Sequence, residues 1–262
     1  EPANHCPPLR TMNAITASHW PYPRWIAHRG AGKLAPENTL AAFRLGAQHG
    51  YRMFECDAKL SADGVPFLLH DATLERTTNG RGTGGDLPLG ALAQLDAGSW
   101  HSRAYAGEAV PTLEALARFC IANGYFLNIE IKPTPGQEET TGRVVGETAA
   151  RLWQGQAVPP LFSSFKPDAL AGAQATAAHI PRALLLDTLW DGCLDTARRL
   201  GCVAIVCNHA LWDAALVAQV KGMGMRTLSY TVNDDWAAQR LIALGTDGII
   251  TDRVDLFSPA TP

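Results

Sequence analysis

Short apolar runs separated by amphipathic stretches recur along almost the whole chain. RWIAH (24–28), MFECDAKL (53–60), FLNIEI (126–131), LFSSF (161–165), RALLL (182–186), VAIVCN (203–208), RTLSYTVN (226–233) and GIITD (248–252) read as strands. Helices are predicted between them at about 39–49, 112–123 and 138–154, from 167, around 194–200, from 211 and from 235. Asn38 or Thr39 can cap the first helix after Pro36, with Gly50 ending it; Thr112 can cap another after Pro111, with Gly124 closing it. Strand–helix alternation of this kind predicts parallel βαβ units, and about eight of them close an α/β barrel of the (β/α)8, or TIM, type. VPFLLH (65–70) is an additional strand candidate. Only a tight turn at Asp63-Gly64 precedes it, whereas a parallel neighbour needs a crossover of a dozen or more residues, so it is predicted to return antiparallel outside the regular set. Residues 72–112 break the rhythm, rich in Gly and Thr with one short helical piece at 89–95, and are expected to form a small insertion that caps the site.

Composition limits the classes of function. With 47% hydrophobic and 18% charged residues in 262, the chain can bury one large core, and nothing marks a second domain. The expected plan is an N-terminal extension, 1–21, and a barrel domain, 22–262, that includes the insertion. Residue 1 is not Met and Met12 lies shortly before the first strand, so residues 1–11 read as appended or upstream sequence, mobile unless other contacts order them. The net charge of −3, without long runs of either sign, disfavours a nucleic-acid partner. No segment approaches the ~18 apolar residues of a membrane span, and no leader pattern opens the chain. The six cysteines are scattered, with no C-x-x-C pair, and are expected as buried thiols of a cytoplasmic protein.

The chemistry concentrates at predicted strand ends. Glu55 and Asp57 are two apart in a strand, so both carboxylates face one way while Phe54 and Cys56 face the other. Two carboxylates held together in a partly dry site call for a proton or a hard cation. The Asp63-Gly64 hairpin brings His70-Asp71 back toward them, and Asn128, Glu130 and Lys132 share a face of a later strand. Barrel active sites lie at the C-terminal ends of the strands, so His28-Arg29, Glu55, Asp57, Glu130 and Lys132 are expected at one mouth. Glu55, Asp57 and Glu130 can hold one divalent cation, Arg29 and Lys132 can neutralise a phosphate ester, and His28 and His70 remain for proton transfer.

Other residues carry weaker signals. Glu37 reads equally as a ligand for a substrate hydroxyl or as a helix N-terminal acid, and Asn128 as support for Glu130. Gly30-Ala31-Gly32 reads more as a tight turn than as a phosphate cradle. Among Trp100, Phe165, Tyr230 and Trp236 as apolar walls, Tyr230 stands out because YTVN ends a strand. His5, His19, His49, His101, His179 and His209 lack acids at ligand spacing and read as structural, with His209 the candidate exception.

H-R-G with P-E-N-T (His28 to Gly30, Pro36 to Thr39), E-x-D (Glu55, Asp57), H-D (His70, Asp71) and E-I-K (Glu130 to Lys132) resemble the glycerophosphodiester phosphodiesterases. The likeness continues through LERTTNGRG, DAGSW, NIEIKP, LFSSF, YTVN and DGIITD, covering the chain from about residue 22, and is strongest toward the short bacterial cytoplasmic enzymes. The resemblance implies a distorted barrel of the phospholipase C-like phosphodiesterase type with a small insertion. It also implies metal-dependent hydrolysis of glycerophosphodiesters, a small-molecule substrate, to sn-glycerol 3-phosphate and an alcohol. The family's metal ligands fall on Glu55, Asp57 and Glu130, for one Mg²⁺ or Ca²⁺; its histidines fall on His28 and His70, its phosphate-binding cations on Arg29 and Lys132. Tyr230 stands where the family often has Trp, so an aromatic wall is kept. His28 is read as general base and His70 as general acid, with either water or the substrate's neighbouring hydroxyl as nucleophile. A lyase that stops at a cyclic phosphate and a non-catalytic binding barrel are the rival readings, although no metal carboxylate or histidine is missing.

Overall fold

Ala27 pairs with Thr251 on one side and with Phe54 on the other, and those two parallel registers close a ring. The computed structural model describes residues 15, 16 and 19–260; the reading of residues 1–11 lies outside them. In chain order the ring contains β1 (Trp25–Ala27), β2 (Met53–Leu60), β4 (Phe126–Ile131), β5 (Leu161–Ser164), β6 (Arg182–Leu186), β7 (Ala204–Asn208), β8 (Arg226–Tyr230) and β9 (Gly248–Thr251). All are parallel neighbours, so this is the closed eight-stranded (β/α)8 barrel. β3 (Pro66–Leu68) pairs antiparallel with β2, Ala58 opposite Leu68, and stays outside the ring. The hairpin turn is too short for any other arrangement.

The helices sit on the outside: α1 (Leu40–Gln48), α2 (Leu89–Leu92), α3 (Leu113–Asn123), α4 (Glu138–Leu152), α5 (Pro167–Thr176), α6 (Cys193–Arg199), α7 (Ala214–Gly222) and α8 (Asp235–Ala243). Thr39, not Asn38, caps α1, its hydroxyl accepting from the Ala42 N–H at 3.2 Å, and Thr112 caps α3 at 3.0 Å. The predicted helix from residue 211 begins instead at Ala214. Residues His209–Leu211 form a 3₁₀ turn, and the Asp213 carboxylate accepts the Leu216 N–H at 2.7 Å, fixing the helix start.

Two-residue periodicity sorts the barrel residues into two cores. Ile26, Met53, Leu161, Ala183, Leu185, Val206, Leu228 and Ile250 fill the interior. Phe54, Cys56, Leu127, Ile129, Phe162, Leu184 and Ile205 face the helices. Along β2 the inward face runs Met53, Glu55, Asp57, Lys59, so the interior passes from apolar to charged toward the strands' C-terminal ends. Residues 72–112 pack on a small cluster of their own, with Leu74, Leu92, Ala97 and Val110 against Phe67 and Leu69. Cys56, Cys120, Cys193, Cys202 and Cys207 are buried free thiols, and no helix among the described residues is long and apolar enough to cross a membrane.

Candidate active site

At the C-terminal end of the barrel, Glu55 and Asp57 of β2 meet Glu130 of β4, because the register sets Asp57 directly beside Glu130. One oxygen from each lies within 4.8 Å of the others, and the residues are 3%, 1% and 7% exposed. Asn38 fixes Asp57 from both sides: its amide donates to Oδ2 at 3.0 Å, and its carbonyl accepts the Asp57 N–H at 3.2 Å. With Glu130 ionised, Oδ1 of Asp57 is buried and has no hydrogen-bond donor. Such a group is costly unless an ion or a proton reaches it. An all-oxygen, buried set with one orphaned oxygen fits a hard divalent cation. In the metal-free protein the strain appears as protonation: burial first, then the Asp57 charge, raises Glu55 to about 7 and Glu130 well above the usual carboxylate range. Burial would also raise Asp57, but the neighbouring Glu130 proton and Arg29 outweigh it and hold Asp57 low.

The loop after β1 supplies the next groups. Arg29 has φ of 54° and Asn38 58°, left-handed conformations that L-residues other than Gly adopt only when their surroundings impose them. The turn directs the Arg29 N–H at Glu55 Oε1, 3.3 Å, and its guanidinium to Glu37, 3.2 Å, with Nε 3.5 Å from Asp57. His28 Nδ1 lies 2.7 Å from Asp252 Oδ1, while Nε2 faces Glu55 at 3.9 Å. Burial alone would lower the His28 pKa, yet Glu55 and the Asp252 hydrogen bond more than offset it and raise it. His70 Nδ1 lies 2.8 Å from Asp71 Oδ1, and here burial prevails, leaving its pKa below the ordinary imidazole value.

A cavity of about 320 Å³ gathers His28, Arg29, Glu55, Asp57, His70 and Glu130, and Asn128, Phe165, Asp187 and Tyr230 also line it. Phe165 and Tyr230 meet edge to face, centroids 5.7 Å apart, and the Tyr230 hydroxyl donates to Asp187 at 3.2 Å. Asn128 accepts from the Ser163 hydroxyl at 2.9 Å, beside Glu130. Lys132 is absent from this cavity, contrary to the expected single mouth. It lies past the end of β4 and lines a second hollow that shares His70 and Phe165 with the first. Glu37 also lies off the cavity wall, bridging Arg29 and Arg76. Trp100 and Trp236 are exposed and line neither space; His209 lies beyond the cavity on the turn before α7. Gly32 packs against the Asp252 backbone, so the Gly30–Gly32 segment is a close-packed turn.

Several site groups were not singled out in the sequence. Asp252 follows β9 and orients His28; Asn233 donates to its other oxygen at 3.0 Å. Lys59 continues the inward Glu55–Asp57 face, is 1% exposed, and donates to the carbonyls of His70 at 3.2 Å and Lys132 at 3.1 Å. Burial, reinforced by the charge of Lys132, lowers its pKa to about 8 against the opposing pull of Asp57. Arg76, from the insertion, holds Asp71 at 2.8 and 3.0 Å and Glu37 at 2.8 and 3.1 Å.

Residues 28–256 match the glycerophosphoryl diester phosphodiesterase family. A glycerophosphodiester phosphodiesterase of Caldanaerobacter subterraneus is 33% identical over 233 residues, covering 87% of this chain and 93% of that one. The solved structure of an Oleispira antarctica phosphodiesterase in complex with the product sn-glycerol-3-phosphate has a TM-score of 0.82 at 36% identity, over 88% of this chain and 93% of its own. A glycerophosphodiester phosphodiesterase from Agrobacterium tumefaciens gives a TM-score of 0.71 at 28% identity, over 90% and 99%.

Proposed function

The chain belongs to the glycerophosphoryl diester phosphodiesterase family, a phosphoric diester hydrolase, and from that premise we propose that it hydrolyses glycerophosphodiesters to sn-glycerol 3-phosphate and an alcohol in a metal-dependent reaction. The observation that carries this reading is the buried triad of Glu55, Asp57 and Glu130 between two carboxylate-paired histidines. A small-molecule substrate is further supported by the product named for the Oleispira relative.

Glu55, Asp57 and Glu130 would hold one divalent cation, Mg²⁺ or Ca²⁺ by the hardness of the donors, supplying charge neutralisation at a phosphoryl oxygen. Arg29 stands beside the same carboxylates, its N–H and guanidinium available to the non-bridging phosphate oxygens. His28, its Nδ1 engaged by Asp252, keeps Nε2 toward the carboxylates and acts as the general base on the nucleophile, either water itself or the substrate's neighbouring hydroxyl, the latter giving a cyclic phosphate that water then opens. His70, its Nδ1 paired with Asp71, protonates the leaving alcohol oxygen as the ester P–O bond breaks. Tyr230 and Phe165 form the apolar wall of the substrate cavity. Glu37 holds Arg29 in place, and Lys132 extends the positive field around the phosphate from the adjoining hollow. The barrel domain of the reading spans 22–262, with 72–112 as an insertion that reaches the site through Arg76. The five buried free thiols among the described residues support a reducing, cytoplasmic setting.

The test is release of glycerol 3-phosphate from glycerophosphocholine by chelator-stripped protein, with Mg²⁺ or Ca²⁺ then restored. Metal-dependent release that Glu55→Ala abolishes is the expected result. Equal release with and without metal would remove the metal from the mechanism.

A further inference from the structure

We propose that the hollow beyond His70 is the subsite for the alcohol half of the substrate, and that it selects alcohols carrying an anionic group. The assignment rests on the proposed function, in which His70 protonates the leaving oxygen. The substrate cavity and this hollow, of about 480 Å³, share His70 and Phe165 and are therefore neighbouring spaces with His70 at their boundary. The carboxylate triad lies on one side of that boundary. A diester whose phosphate sits by the triad and whose leaving oxygen faces His70 must project its alcohol into the other space.

The charges of the hollow then decide which alcohol fits. Lys132 and Lys166 line it, and neither ammonium makes an ion pair among the described residues. Lys59 forms part of the wall, its ammonium satisfied only by two neutral carbonyls. Asp71 is the one carboxylate among the lining residues, and it is already engaged by Arg76 and His70. Besides Asp71, the acids whose charge reaches these three lysines, Asp57 and Glu130 of the triad and Glu138, lie outside the lining of the hollow. A carboxylate or second phosphate on the alcohol gains from that field, whereas a quaternary ammonium is repelled and finds no aromatic cage, only Phe165 and prolines. Lys166 is exposed at the N-cap of α5, two residues past β5, and its side chain can be changed without touching the core.

The experiment compares sn-glycero-3-phosphoinositol 4-phosphate with sn-glycero-3-phosphocholine, in the presence of Mg²⁺, for the wild type and Lys166→Glu. The wild-type kcat/KM should favour the phosphorylated inositol ester by at least about tenfold, and Lys166→Glu should reduce that ratio about tenfold, chiefly through KM. Equal rates, preference for the choline ester, or an unchanged ratio in the variant would overturn the subsite. Calorimetric titration of inositol 4-phosphate and of inorganic phosphate into both proteins gives a readout independent of turnover. Tighter binding of inositol 4-phosphate, weakened at least about fivefold in Lys166→Glu, supports the subsite even if neither ester is hydrolysed, an outcome that would sink the hydrolase reading alone. Equal affinity for inorganic phosphate would mark a generic phosphate site and overturn the selection of an alcohol.

Discussion

His28 Nδ1 and Asp252 Oδ1 are 2.7 Å apart although 224 residues separate them in the chain. The contact exists because β1 and β9 are adjacent and in register, Ala27 beside Thr251, so the residue following each strand emerges at the same height. Asp252 is held in turn by Asn233, and its carboxyl stays below the ordinary range despite burial because His28 and Asn233 donate to it. A carboxylate in this position fixes the imidazole tautomer with Nε2 free for the proton in transit. Asp252→Asn should therefore lower kcat about a hundredfold while KM changes little. Steady-state release of glycerol 3-phosphate measures it, and a kcat within about threefold of wild type would dismiss the dyad.

Metal uptake should release protons. In the metal-free protein Glu55 titrates at about 7 and Glu130 well above the usual range, so near neutrality the triad holds protons that a cation must displace. Raising the pH through about 7 should strengthen metal affinity by up to about tenfold per pH unit for each proton displaced. Stability without metal should run the opposite way. A carboxyl whose folded pKa is raised stabilises fully below its unfolded value of 4.5, and that contribution is lost as pH rises through about 7. Titration calorimetry in buffers of different ionisation enthalpy reads the released protons, and the melting temperature of chelated protein against pH reads the second trend. A metal affinity independent of pH between 6 and 8 would show that the carboxyls are already ionised.

Arg76 should act through the two carboxylates it clamps. It bridges Asp71, which orients His70, and Glu37, which holds Arg29. Removal leaves both acids free to rotate, so Arg76→Ala should lower kcat about 10- to 100-fold on an alkyl ester. If the loss passes through His70, a p-nitrophenyl ester, whose leaving group needs no proton, should lose much less. Similar losses on both esters would instead trace the effect to Arg29 and the phosphate.

The differences in legibility follow from distance in the chain. Glu55, Asp57 and Glu130 were readable because strand alternation aims residues two apart in one direction, and the barrel places successive strand ends together. His70 was readable because a tight hairpin returns within a few residues. Lys59 carried the same signal, being the next inward residue of β2, but its interior position becomes evident only with the carbonyls it meets. Asp252 was visible as a polar strand end, yet its partner depends on the ring closing between β1 and β9. Nothing local distinguishes Arg76, since its role comes from where the insertion folds back. Lys132 was placed in the main cavity because alternation gives direction, not depth; it lies one residue past the end of β4, where the wall opens into the second hollow.

Gly32 ties the first loop to the dyad, and its replacement should harm both stability and catalysis. It has φ of 61°, and a Cβ there would collide with the carbonyl oxygen and Cα of Asp252. These are backbone atoms at the end of β9, so neither a rotamer change nor a flexible tip can relieve the overlap. Gly64 provides the control: its φ is 79°, but a Cβ there meets nothing within 4 Å. Gly64→Ala should cost only the left-handed strain, about 1 kcal/mol, lowering the melting temperature by roughly 2–4 °C with kcat intact. Gly32→Ala adds displacement of Asp252 to the same strain, so its melting temperature should fall at least about twice as far and its kcat about tenfold, through the loosened contact with His28. Melting curves and kcat for the two variants side by side separate the components. Equal melting shifts with both activities intact would mean that the β9 end yields without disturbing the histidine.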